Sequence, residues 1–177
     1  MIQPNYLKEG NTVAIVSTAR KILKKELIPA ITILKNWGLK IVLGKSIEAE
    51  EHQFAGNDKL RASDFQAMLD HPEIDAVWCA RGGYGTVRII DQLDFSNFKK
   101  HPKWIIGFSD VTVLHSHIHQ LGIETLHAQM PVSIETKTKA TINSIKAILF
   151  GEQYGIRIPA EKNNINGKTS GQLIGGN

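Results

Sequence analysis

Trp104-Ile105-Ile106-Gly107-Phe108-Ser109-Asp110-Val111-Thr112 is the stretch on which the fold of this chain turns. It reads as a short buried strand, a tight turn carrying a serine, and the start of a helix. Residues 104–106 are apolar and partly β-branched, which suits a sheet interior. Gly107 loosens the backbone where the chain must turn sharply. Asp110 and Thr112 favour a helix start, which puts Ser109 at the positive end of a helix. Several hydrolases raise a nucleophilic serine on such a strand-to-helix turn. Their usual elbow is G-x-S-x-G, and Gly107-Phe108-Ser109-Asp110-Val111 lacks the second glycine. By pattern alone, a helix-capping Ser109 or Asp110 is therefore favoured over a nucleophile.

The same alternation extends along the chain. Residues 12–16 form a buried-type strand, and a helical pattern with Leu27, Ile31 and Leu34 in phase runs over 24–37 up to Gly38. Strands follow at 39–43 and 74–80, separated by a helix that Asn57 caps and His71-Pro72 ends. A short helix is expected over 86–93, the helix after Ser109 over 111–121, a short strand at 124–126 and a last helix over 141–150. Segments 154–159 and 170–174 look strand-like around an Asn166-Gly167 turn. Strands alternating with helices predict an α/β fold, a flavodoxin-like layered domain with a mostly parallel sheet flanked by helices. In such folds the working residues sit on loops at the carboxyl ends of strands.

Composition narrows the classes. The chain has 177 residues, 42% of them hydrophobic and 21% charged, enough for one domain with a real core. The net charge of +4 is mild and the lysines are scattered, so nucleic acid is not an expected partner. The single cysteine, Cys79, excludes an internal disulfide and reads as a small buried strand residue. Residues 1–10 carry no secretory h-region, and no apolar run reaches the roughly 20 residues of a membrane span. A cytoplasmic protein with no membrane contact is the expectation.

Two loops have both the right address and an unusual composition. Arg81-Gly82-Gly83-Tyr84-Gly85-Thr86 frees the backbone to bring N–H groups close to an anion or oxyanion, and Arg81 could hold a carboxylate. A tight turn with a surface arginine explains it equally well. Neither the Rossmann nor the P-loop spacing is met. If this loop meets the Ser109 turn at the top of the sheet, it sets oxyanion donors beside a nucleophile. His115 and His119 share a helix face at a spacing that zinc sites use. No carboxylate or cysteine cluster accompanies them, and a polar helix face with one packed histidine is the better reading. As a base for Ser109, His115 lies nearly two turns away along its own helix. His127 is better placed, but no carboxylate is identified to orient it.

At these residues the chain resembles the amino-terminal half of the LD-carboxypeptidases, the S66 serine peptidases also called muramoyltetrapeptide carboxypeptidases. The resemblance rests on Phe54-Ala55-Gly56, Asp58, Arg61, Asp64, the run from Trp78 to Gly85, Pro102-Lys103-Trp104 and the run from Ile106 to Thr112. It implies an enzyme of cell-wall recycling that takes a muropeptide stem and releases terminal D-alanine from an L,D bond, without metal or cofactor. Ser109 matches the family nucleophile. The backbone N–H groups of Gly83 and Asp110 would form the oxyanion hole, with Arg81, Gly82 and Tyr84 lining the substrate. The glutamate and histidine of the triad would come from a carboxyl-terminal domain that these residues do not include. On this reading residues 1–160 are the nucleophile-bearing domain and 161–177 the linker into the next, and the isolated domain is inactive. A homodimer is a further expectation. His127-Ala128-Gln129-Met130 departs from the H-G-P-M-like pattern of the family. The alternatives are the microcin-immunity branch, which cleaves an aminoacyl-nucleotide antibiotic, and a non-catalytic anion-binding domain.

Overall fold

A computed structural model describes residues 1–165, 167–174 and 176. Its centre is a five-stranded parallel sheet of β1 (Thr12–Val16), β2 (Lys40–Leu43), β3 (Ala76–Cys79), β4 (Trp104–Gly107) and β5 (Leu126–His127), in the order β2-β1-β3-β4-β5. Every pairing is parallel. Five helices connect and cover the strands: α1 (Ile28–Asn36), α2 (Asp58–Asp70), α3 (Ser96–Lys100), α4 (Thr112–Gln120) and α5 (Lys139–Leu149). The flavodoxin-like expectation is met.

The central strands are apolar without a break because both faces are covered, and the pleat sorts their residues. Val13, Ile15, Trp78, Trp104 and Ile106 face one side, where they pack with Leu27 and Leu34 ahead of and on α1 and with Ile145 and Leu149 of α5. Ala14, Val16, Val77, Cys79 and Ile105 face the other, against Phe65 and Leu69 of α2, Phe98 of α3, and Leu114 and Ile118 of α4. The register brings Val16 beside Cys79 and Trp78 beside Ile106. The carboxyl ends of β1, β3 and β4 therefore emerge next to one another, at the end where such sheets carry their sites.

Local signals set most boundaries. The Asn57 side chain accepts from the Leu60 N–H at 2.8 Å and starts α2. His71, held extended by Pro72, ends it. Pro29 sits in the first turn of α1, where its missing N–H costs nothing. Thr138 caps α5 by accepting from the Thr141 N–H at 3.2 Å.

Other expectations need correction. Residues 86–93 form two 3₁₀ turns, Thr86–Arg88 and Ile90–Gln92, rather than a helix. The segment is too short to nucleate a regular helix unaided. The fifth strand lies at Leu126–His127, not 124–126, since the strand forms where Leu126 aligns with Ile106 and His127 with Gly107. Helix α3 was not anticipated, as residues 96–100 carry no full period of apolar residues. Segments 154–159 and 170–174 are not strands; their described residues are exposed and have no ladder partner. Asn166 of the expected turn lies outside the described residues. Among the described residues, no helix is long and apolar enough to cross a membrane.

Phe65, fully buried between α2 and the sheet, and Ile158, 81% exposed, make a matched test of this layering. Phe65→Ala is expected to cost about 3–5 kcal/mol in urea unfolding. Ile158→Ala should stay within about 0.5 kcal/mol.

Candidate active site

The last residue of β4 is Gly107, where nothing larger fits: a Cβ there would lie 2.9 Å from Val111 Cγ1 and 3.0 Å from its Cβ. The chain can then fold back tightly. Phe108 is extended, Ser109 turns into the left-handed region at φ 59°, and a 3₁₀ turn over Ser109–Val111 leads into α4. A left-handed serine is uncommon and costs about 1–3 kcal/mol, which the surrounding contacts must offset. Neither Ser109 nor Asp110 caps its own helix, since no side-chain cap bond forms at the start of this segment. The Ser109 hydroxyl has no hydrogen-bond partner among the described residues. A groove of about 580 Å³ opens beside it, lined by Ile90, Asp110, Thr112, Val113, Ser116 and His117.

The glycine loop meets this turn. Gly82 is pressed against Asp110, so that a Cβ on it would lie 3.3 Å from both the Asp110 nitrogen and the Asp110 Cβ. The Asp110 carboxylate reaches across to accept from the Thr86 N–H at 2.9 Å. Gly83, Tyr84 and Gly85 all have positive φ, at 102°, 86° and 143°. That run turns the peptide planes in a way only a glycine-rich segment tolerates. Among the described residues, the N–H groups of Gly83 and Asp110 donate to no protein acceptor. Two free amides thus belong to the two loops that touch beside a serine, an arrangement able to hold a developing oxyanion.

The remaining sequence candidates fall differently. Arg81 donates from Nη1 to the Lys21 carbonyl at 3.1 Å, which ties its head to the loop after β1. Tyr84 is half exposed, with its ring 6.4 Å from that of Phe54. His115 is buried, with Nε2 2.9 Å from the Gly107 carbonyl and Nδ1 2.8 Å from the Thr125 hydroxyl. A carbonyl can only accept, so the neutral ring donates from Nε2 and accepts at Nδ1 from Thr125. Burial pushes its pKa down, which favours that neutral form. His115 is the packed histidine of the plain reading, and it braces the end of β4. Both of its nitrogens are engaged, so His115 and His119 do not make a metal pair. His127 packs its ring 6.2 Å from Phe108 and 5.9 Å from His115.

Asp58, Arg61 and Asp64, which the sequence offered only as marks of the resemblance and without a role, lie underneath. Arg61 is a charged residue on the inner face of α2, in phase with Phe65 and Leu69, and it is fully buried. Its Nη1 donates to the carbonyls of Thr18 at 2.8 Å and Gly85 at 3.2 Å, while Nη2 pairs with Asp58. One guanidinium thereby fastens the glycine loop to the loop after β1. Asp58 also receives Arg88, whose hydrogen bonds hold its carboxyl below the usual range, with the Arg61 charge adding to the effect. The stabilisation from Asp58 is thus present above its ordinary pKa and is lost as the pH falls through the lowered one. Asp64, also buried, accepts from the Lys45 and Ser46 N–H groups, both at 2.8 Å. The signal in the sequence was the helical phase of Arg61 and Asp64 with Phe65, which places charge where apolar residues belong.

A larger cleft of about 920 Å³ lies at the opposite ends of the strands, beside Asn11, Asp75 and Lys103. The Lys103 ammonium there is occupied by the Met68 and His71 carbonyls, at 3.1 and 2.7 Å, as a cap on the end of α2.

Residues 13–128 match the family described as the LD-carboxypeptidase N-terminal domain, Peptidase_S66. The chain is 36% identical to a "Probable murein peptide carboxypeptidase" of Bacillus subtilis, over 99% of this chain and 57% of that protein. It is 30% identical to a murein tetrapeptide carboxypeptidase of Pseudomonas aeruginosa, over 93% of this chain and 57% of that protein. In fold it superposes on the microcin C7 self-immunity protein MccF, solved in complex with aspartyl sulfamoyl adenosine. That match has a TM-score of 0.81 at 24% identity and covers 90% of this chain and 51% of the other. The chain therefore spans a little over half the length of these curated relatives.

Cys79 offers a check on the floor of the site. Burial, aided by the Asp110 charge, pushes its thiol up to about 12. The thiolate is the species that alkylates. At pH 8 the native protein should therefore resist iodoacetamide, and denaturant should release fast labelling. Native labelling at the unfolded rate would contradict the burial.

Proposed function

Since this chain belongs to the LD-carboxypeptidase family, as its amino-terminal domain, we propose that it carries the nucleophile and oxyanion hole of a serine-type murein tetrapeptide carboxypeptidase. The observation that carries this reading is the left-handed Ser109, held on a strand-to-helix turn against a glycine loop with free amides. Strain at a non-glycine residue persists where the surroundings impose it, and nucleophile turns are one such place.

In the proposed reaction, the Ser109 hydroxyl attacks the carbonyl carbon of the L,D bond that precedes terminal D-alanine. The N–H groups of Gly83 and Asp110 hold the oxyanion as charge develops on that carbonyl oxygen. D-Alanine leaves with a proton, and water then hydrolyses the ester on Ser109. The hydroxyl is weak without a base. The histidine that takes its proton, and the glutamate that orients it, are assigned to the carboxyl-terminal portion that the longer relatives contain. This is why neither His115 nor His127 enters the mechanism. Residues 81–84 form the wall along which the peptide stem lies, and the reaction is placed in the cytoplasm, where recycled muropeptides are trimmed.

In a full-length enzyme bearing this domain, Ser109→Ala should lower kcat on an L,D-tetrapeptide by at least about a thousandfold. It should also abolish labelling by a serine-directed phosphonate. Retained turnover would remove Ser109 from the nucleophile role, and a wild-type protein that is never labelled would favour an anion-binding domain. Purified residues 1–177 are expected to show no turnover of the same substrate.

A further inference from the structure

Arg20 lies on the loop after β1 and had no role in the sequence reading. Its backbone is held firmly: Phe54 pairs with it in an antiparallel bridge, and its carbonyl accepts from the Ser17 hydroxyl at 2.5 Å. Its side chain lies across Gly83. A Cβ on that glycine would sit 2.7 Å from Arg20 Cδ and 3.4 Å from Nε. The Arg20 stem therefore packs on the Cα of Gly83, the residue that carries one of the two amides assigned to the oxyanion hole.

Three other cations around the glycine loop are engaged by carboxylates. Arg61 is buried and pairs with Asp58, Arg88 pairs with Asp58, and Lys21 pairs with Glu50. Arg81, the sequence candidate for a carboxylate, also has one neutral partner, the Lys21 carbonyl, but it is only half-exposed, whereas Arg20 is exposed. Arg20 has one neutral partner, the Gln53 side-chain oxygen at 3.2 Å from Nη2, and among the described residues no carboxylate pairs with it. An exposed arginine in this state keeps most of its planar fork of donors for a ligand.

We propose that Arg20 binds the free terminal carboxylate of the peptide and so confines the site to cleavage of the last residue. This rests on the carboxypeptidase reading above. The geometry follows from the chain itself. In a substrate cut before its last residue, the terminal carboxylate lies one residue beyond the scissile carbonyl, a span of about 3.8 Å between Cα atoms. A cation that recognises it must therefore stand within about one residue of the oxyanion donors, as Arg20 does beside Gly83. Arginine suits the task because its fork matches a carboxylate in a bidentate pair.

The test compares two substrates of a full-length enzyme bearing this domain: a tetrapeptide ending in D-alanine, and the same peptide ending in D-alaninamide. In the unaltered enzyme the acid should be strongly preferred. Arg20→Ala and Arg20→Gln should raise KM for the acid at least tenfold and change KM for the amide less than twofold, so that the preference collapses. Arg20→Lys should recover part of it. Arg20 is exposed, so a thermal melt is expected to match wild type and to exclude a folding defect. Unchanged KM for the acid, or an equal loss on both substrates, would overturn the proposal. Failure of the underlying reading shows separately, as activity that survives Ser109→Ala.

Discussion

Asp110 is held from two sides, and the site depends on that double constraint. Its backbone is packed against Gly82, where a Cβ would be tight at 3.3 Å, and its carboxylate accepts from Thr86 across the gap. A residue gripped this way has little freedom to let the serine turn and the glycine loop drift apart. The left-handed conformation of Ser109 is the cost of this arrangement, imposed by the fold on either side. Free amides only favour an oxyanion when they point the right way before the reaction begins.

Beneath that contact is a second layer of fastening. Arg61 joins the glycine loop to the loop after β1, and Thr18 and Thr86 meet hydroxyl to hydroxyl at 2.9 Å below it. Asp64 ties down the loop after β2. These groups are buried, and buried polar groups are costly unless satisfied. Here backbone atoms of the loops meet Arg61 Nη1 and the Asp64 carboxylate, Asp58 meets Arg61 Nη2, the two threonine hydroxyls meet each other, and the Arg61 Nε is left without a partner. Polar burial thus does for the loops what apolar burial does for the sheet.

Much of the architecture was legible in local pattern. The strands at 12–16 and 104–107, the Asn57 cap and the His71-Pro72 stop follow from propensity and turn chemistry acting over a few residues. The segments that misled are those whose state depends on distant partners. Residues 86–93 have a helical look, but so short a segment does not nucleate a regular helix unless distant partners hold it over its full length. Residues 154–159 alternate like a strand, yet a strand needs a neighbour to complete its ladder. Within the site, Ser109 and the glycine loop stood out by composition. Arg20 did not, because an arginine in a loop is ordinary until something is found lying beneath it.

The sequence by itself determined the layer order of the domain, the two loops that carry its chemistry, and the family likeness those loops display. These are encoded in short stretches whose periodicity and glycine content act locally. Only the tertiary structure decided which backbone groups stay free, which arginines pair with a carboxylate and which do not, and that Asp110 braces a neighbouring loop rather than its own helix. Those outcomes are settled by contacts between residues far apart in the chain, and hydrogen bonds of that kind leave no periodic trace in the order of amino acids.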